Sequence, residues 1–394
     1  MRTSSIASLT SIASLAVFVL PMTLLGCSGS SSNGPGDDGG STTGPTGGTG
    51  SSADGGGGAT GSTGSNADGG GATSGGNDSG TPSGHDGGGS QGSDSGTPAG
   101  NDGGGGGNDG GGNAQSHIKT VFVILMENHN WSDIQGKSDA PYINSLLALG
   151  ASTSNYFDNP AAVHPSEPNY IWIESGSNLG FTTDDDPSSS HDQTTTDHFV
   201  SQLDKAGVSW KSYQEGLPAG QCGTVSTGGY AAKHNPMVFF TDISGSPPSN
   251  TNATCIQHVR PYTELATDLT SGTVAQYNFI TPTLCDDMHD TIGCPSLDAI
   301  ANGDNWLKAN VPTILASNAY KNGGALFITW DESENGEFPI GMIVLSPFAK
   351  TKYVGATKYY HSSLLRTEET IFGVSFLRDA ANQADLSDLF TSFP

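Results

Sequence analysis

The chain has 394 residues and a formal net charge of −25, from 39 acidic against 14 basic side chains. That balance excludes a nucleic-acid binder, whose affinity needs a basic face to meet the phosphate backbone. Glycine is concentrated in one stretch, and this concentration divides the chain into three parts of different physical character.

Residues 1–26 read as a secretory signal, with Arg2 as the only charge and an apolar run from Ile12 to Leu25. The run is short for a membrane span, which needs about 20 apolar residues. It closes on Leu24-Leu25-Gly26-Cys27, similar to a bacterial lipobox, so Cys27 is the expected lipidation site. Export to the cell envelope or surface follows as an expectation, with the membrane reached through an N-terminal lipid anchor.

Residues 27–115 read as a disordered Gly/Ser/Asp-rich tether. Positions 28–115 hold 36 of the 57 glycines, nine aspartates and no Lys or Arg. Almost nothing apolar is present to offset the entropy of ordering that backbone. DGGG recurs at Asp54, Asp68, Asp86, Asp102 and Asp109, but irregularly. A calcium-binding glycine–aspartate repeat needs a regular nonapeptide with an apolar position, and none is present. As a random coil the segment spans roughly 50 Å root-mean-square.

Residues 116–394 read as one folded domain, with 30 acidic against 13 basic side chains. Lys119–Met126 is a continuous apolar run, the pattern of a strand buried on both faces. Pro141–Leu149 has helical spacing. A helix is expected over Glu167–Ser175, beginning at Ser166, and an amphipathic one over Thr196–Ala206, ending at Gly207. Strands follow at Val208–Tyr213 and Ala275–Ile280. Leu297–Ala319 is expected to be helical with a break at Pro312. Ala325–Trp330 and Ile340–Leu345 are apolar strand runs, and Ser362–Phe372 closes the list as a helix. This alternation predicts a three-layer α/β sandwich with a mainly parallel central sheet. Cys222, Cys255, Cys285 and Cys294 allow three disulfide pairings, of which the sequence-local one, Cys222–Cys255 with Cys285–Cys294, is expected in an oxidising compartment. With no CxxC pair, zinc held by these cysteines is not expected.

Ligands of such sheets sit beyond the carboxyl ends of the strands. The first strand runs into Glu127-Asn128-His129, the strand at 325–330 into Asp331-Glu332, and the strand at 275–280 into Cys285-Asp286-Asp287-Met288-His289-Asp290. Carboxylates gathered there repel one another unless a cation lies between them. The oxygen-rich ligand set admits calcium, magnesium or manganese, with zinc and iron as alternatives, so the divalent metal ion's identity stays open. His164-Pro165-Ser166-Glu167-Pro168-Asn169-Tyr170 places a serine at a helix start, where developing negative charge is favoured. Taken alone, Ser166 also reads as a simple N-cap. His234, in His-Asn-Pro, and His361, ahead of the last helix, complete the set of candidate phosphate or metal partners.

Met126-Glu127-Asn128-His129, HPSEPNY at 164–170, His234-Asn235-Pro236, TPTLCDDMHD at 281–290, Thr329-Trp330-Asp331-Glu332 and the His361–Arg366 segment resemble the bacterial phosphoesterase family. That family includes secreted acid phosphatases, phospholipases C and a mycobacterial phosphatidylinositol-phosphate phosphatase, within the alkaline phosphatase-like superfamily. The resemblance covers nearly all of 116–394. It implies Ser166 as nucleophile, Glu127, Asn128, Ser166, Asp331 and Glu332 at the metal, and His289, Asp290, His234 and His361 as catalytic partners. It implies a phosphomonoesterase acting on a phosphate ester, with a phospholipid or inositol phosphate among the candidate substrates. A phospholipase C-type phosphodiesterase and a non-catalytic surface-binding lipoprotein are the alternatives. The sequence carries no signal of oligomeric state.

Overall fold

The computed structural model describes residues 116–160, 164–334 and 336–394. The signal, Cys27 and the tether lie outside the described residues. All described residues belong to one compact unit, Asn101–Pro394.

Eight strands form a single sheet: β1 (Thr120–Met126), β2 (Ala151–Thr153), β3 (Trp210–Gln214), β4 (Val259–Pro261), β5 (Tyr277–Thr281), β6 (Gly324–Trp330), β7 (Met342–Leu345) and β8 (Tyr353–Gly355). Their order is β4-β3-β5-β1-β6-β7-β2-β8. Only β7 runs against its neighbours, pairing antiparallel with β6 and β2; the other pairings are parallel. The sheet is therefore mainly parallel, as its continuous apolar strands predict.

Helices cover both faces. Tyr277 on β5 meets Phe199 and Phe372 with ring centroids 5.0 and 6.4 Å apart, and Phe279 meets Tyr170 at 6.3 Å. Those partners lie on the helices Ser166–Ser175, Phe199–Ala206 and His361–Phe372, which also pack on one another. On the opposite face Met126 of β1 lies against Gly303 of the helix Ala299–Ala316, which packs on Pro141–Leu146. Period-two alternation along each strand sends successive side chains to these two layers.

Most expected elements appear with shifted ends. The long helix is a correction: Ala299–Ala316 continues through Pro312, and the break falls at Ser317, whose hydroxyl caps the short helix Asn318–Lys321. Pro312 is on the exposed side, while Trp306, Leu307, Val311 and Ile314 stay buried and hold the helix together across it. The three-residue strands β2, β4 and β8 were not among the expected elements. Both expected disulfides form, Cys222–Cys255 and Cys285–Cys294, with Cα atoms 5.2 and 5.4 Å apart.

One glycine fixes the packing beside β7. Gly341 has φ +77°, and a Cβ there would collide with the ring of buried Trp131, which stands edge-on to Trp330 at 5.7 Å. Gly341→Ala is expected to cost roughly 2–4 kcal/mol of unfolding free energy, from overpacking plus left-handed strain. Urea denaturation measures it. A loss below about 0.5 kcal/mol would mean that Trp131 moves aside freely.

Candidate active site

Backbone hydrogen bonds bind three strand ends together. Met126 of β1 pairs in register with Trp330 of β6, and Asp331 N donates to Met126 O at 2.9 Å. Glu127 N donates to Asp287 O at 2.8 Å, which brings in the loop after β5. Asn128 turns away at φ +49°, and its N–H donates to Asp331 Oδ1 at 3.0 Å. Glu127, Asp287 and Asp331 are thereby brought together, each with no exposed surface.

These carboxylates lack sufficient partners. Glu127 accepts from Tyr170 OH at 2.5 Å and from Ser166 Oγ at 3.1 Å. Asp331 Oδ2 and Asp287 Oδ2 are buried without a hydrogen bond, as is His234 Nε2. Burial, then the charges of Asp331 and Asp287, push the Glu127 carboxyl well above the usual carboxylate range. Burial likewise raises Asp287 and Asp331. At Glu332, burial and the charge of Asp331 push the carboxyl up to about 9. Each shift measures how poorly this cluster tolerates its own charge without a counter-ion.

Two imidazoles complete the donor set. His234 stacks flat on Tyr170, with centroids 4.9 Å apart, and lies 3.2 Å from Glu127 Oε1 and 3.3 Å from Asp287 Oδ2. Burial, reinforced by Lys233 and His289, holds its pKa well below the ordinary value, so the ring is neutral and has a lone pair to offer. Ligand atoms of Glu127, His234 and His289 all lie within 4.8 Å of one another. His289 Nδ1 is 2.8 Å from Asp290 Oδ1, the carboxylate–imidazole pairing that orients metal-binding histidines. Orphaned carboxylate oxygens beside the neutral His234 ring and the Asp290-oriented His289 fit a divalent cation.

Ser166 is the first residue of its helix, not its cap. Pro165 occupies the N-cap position, no side chain caps that end, and the Ser166 hydroxyl points instead at Glu127. Pro168 sits in the first turn, where its missing N–H has no intrahelical acceptor. The remaining expected residues stand around this centre. Glu332 Oε2 accepts from Asn169 Nδ2 at 2.9 Å and lies 2.8 Å from His164 Nδ1. Asp290 is half-exposed and reaches the site through His289. His361 is fully buried, with Nε2 2.6 Å from the Asp331 carbonyl and Nδ1 3.2 Å from Tyr156 OH. Burial lowers its pKa to about 4. A neutral ring satisfies both contacts, donating from Nε2 and accepting at Nδ1, so His361 positions Asp331 and has no free nitrogen for a phosphate oxygen.

Sequence reasoning passed over Asp287, Tyr170 and Lys233. The first two lay inside quoted motifs, and Lys233 directly precedes His234. Lys233 Nζ is 2.6 Å from Asp184 Oδ2 and 3.5 Å from His289 Nε2. Burial opposes its charge, but Asp184 outweighs that and raises its pKa.

Two outcomes test this site. A divalent cation at a hundredfold excess over its Kd should stabilise the wild-type protein by about 2.7 kcal/mol. Asp331→Asn should raise the melting temperature of chelated protein and remove most of that metal response. A wild-type melting temperature indifferent to every divalent cation tried would contradict the site. Separately, Cys285→Ser with Cys294→Ser should remove roughly 2–3 kcal/mol of stability. It should also lower phosphoester turnover at least tenfold under conditions where the protein stays folded, because the bridge closes the loop that carries Asp287 and His289. Unchanged turnover would show that the hydrogen bonds alone hold that loop.

The Phosphoesterase family matches over residues 136–375, more than half of the chain, beginning beyond Glu127 and Asn128. The chain is 28% identical over 271 residues to the phosphatidylinositol-3-phosphatase of Mycobacterium tuberculosis, covering 68% of this chain and 82% of that relative. It is 29% identical over 224 residues to a probable acid phosphatase of Kluyveromyces lactis, covering 55% of this chain and 48% of the yeast protein. The chain thus spans about half the length of that yeast relative. Among solved structures, the phosphonate monoester hydrolase of Silicibacter pomeroyi aligns with a TM-score of 0.47 and 10% identity, over 70% of this chain and 77% of that one. The chain belongs to the phosphoesterase family and is a hydrolase of phosphoric esters.

Proposed function

We propose that this chain is a metal-dependent phosphomonoesterase that works through a phosphoseryl intermediate on Ser166, and that it acts outside the cytoplasm, held by a lipid anchor at Cys27. The observation that carries the catalytic part is the Ser166 hydroxyl. It opens a ten-residue helix and is hydrogen-bonded to a carboxylate of the buried, uncompensated cluster. Export and anchoring rest on the sequence of residues 1–115.

Glu127, Asp287, Asp331, His234 and His289 are the residues that would hold the cation. When bound, a divalent ion supplies Lewis-acid charge that offsets the phosphate and lowers the serine pKa. The chain's own part begins with Ser166 Oγ, whose proton already has an acceptor at Glu127 Oε2. The Ser166 O–P bond forms as the P–O bond to the alcohol breaks, and the helix N-terminus favours the negative charge on the transferring group. The alcohol leaves with a proton taken from a solvent water, and a second water then attacks phosphorus, breaking the Ser166 O–P bond to release phosphate and return a proton to Ser166 Oγ. The family resemblance places His289 among the catalytic partners, where protonating the alcohol is one role open to an imidazole. Its pairing with Asp290 and its place beside Glu127 and His234 favour ligation instead, which occupies the same lone pair.

A phosphomonoester of a phospholipid or an inositol phosphate is a substrate class this reading admits, and the mycobacterial relative bears the name of a lipid phosphatase. Ser166→Ala should lower kcat on p-nitrophenyl phosphate by at least a thousandfold, in line with loss of a covalent nucleophile. Its thermal unfolding should stay close to wild type. Rapid quench with labelled substrate should trap phosphoserine in the wild type and none in the variant. Near-normal turnover by Ser166→Ala would sink the mechanism.

A further inference from the structure

Lys233 is set between the candidate active site and an open cavity. Its charge acts on Glu127, Asp287, Glu332 and Glu167 alike. Its ammonium lies 3.5 Å from His289 Nε2, and it also lines a cavity of about 320 Å³ with Asp184, Ser226 and Tyr230. A void of that size falls at the lower end of the range for small-molecule sites. Asp184 holds the lysine in place. One of its oxygens meets Lys233 Nζ at 2.6 Å, and the other accepts from the backbone N–H of Glu167 at 2.9 Å, in the first turn of the Ser166 helix. Asp184 thus ties the lysine to the nucleophile helix, beside a cavity that Asp185 and Asp186 also line.

Resting on the phosphomonoesterase reading above, we propose that Lys233 is the specificity-determining cation of this site: its ammonium meets the non-bridging oxygens of a phosphate monoester and favours monoesters over diesters. The physical reason is charge. A monoester has a second pKa near 6 and is mainly a dianion above it, whereas a diester carries one negative charge. A fixed ammonium in a partly dehydrated site rewards the additional charge on the transferring group. The hydrogen-bond reach of about 3 Å on either side of a phosphate oxygen is enough to bridge Lys233 and the neighbourhood of His289. A lysine that merely neutralised the carboxylates would affect both ester types equally.

The test uses the full chain, metal-replete, with p-nitrophenyl phosphate and methyl p-nitrophenyl phosphate, which share a leaving group. Lys233→Met keeps most of the stem and removes the charge. It should lower kcat/KM for the monoester about 10- to 100-fold while changing the diester less than about threefold. Lys233→Arg should return the monoester value to within about threefold of wild type. Equal losses on both esters, or none on either, would overturn the assignment. Wild-type protein that turns over neither ester would instead overturn the phosphomonoesterase reading. Inorganic phosphate then judges Lys233 separately by calorimetry at pH 8: at least tenfold weaker binding in Lys233→Met supports it, and equal affinity or no binding by the wild type overturns it.

Discussion

The site depends on one constraint: Glu127, Asp287 and Asp331 are held together out of water at the ends of adjacent parallel strands. Three like charges there are unfavourable, and the chain does little to relieve them, since one oxygen of Asp287 and one of Asp331 have no donor. What holds them is the sheet itself. The register of β1 with β6 and the backbone bond from Glu127 to Asp287 place the acids before any side-chain preference is consulted. The cost is met by the apolar strands behind, whose burial is far larger than the few kcal/mol stored at their tips.

Around this cluster the chain places groups that orient its acids and imidazoles. Tyr170 donates to Glu127 and stacks on His234, so one side chain sets the direction of two others. His361 ties the backbone at Asp331 to Tyr156, deep in the core. Asn169 and His164 share one oxygen of Glu332. These partners fix the geometry of the acids that are to attract a cation and then, through that cation, an anion.

Much of this was legible in the sequence because buried parallel strands declare themselves as unbroken apolar runs, and the residues after them stand out as polar interruptions. Glu127, Asp331 and Glu332 were found that way, and Ser166 from its proline-flanked helix start. What could not be read depends on local backbone turns. In Asp286-Asp287-Met288-His289-Asp290 the family resemblance singles out His289 and Asp290, and the place of Asp287 shows only in the fold, where Met288 adopts φ +86° with Asp287 buried and Asp290 half-exposed. The short strands β2, β4 and β8 carry three residues each, too few to show a period. The reversed direction of β7 leaves no trace in its composition. Pro312 misled because its local cost, one hydrogen bond and a ring clash, is set against the burial of Trp306, Leu307, Val311 and Ile314 on the helix's other side.

The position of β1 also has a consequence for how the domain comes into being. It is the first strand among the described residues, yet both of its neighbours arrive late: Val121 pairs with Tyr277, and Thr120 with Gly324. Loops of that length make folding slow relative to chains rich in local contacts. Until β6 has been made and paired, the most apolar segment of the domain has at least one uncovered edge, open to association with other chains. The same delay keeps Glu127 apart from Asp331, so the acids meet only when the sheet is complete. Phosphoester turnover would therefore report on finished sheets alone, and partly folded chains would stay silent.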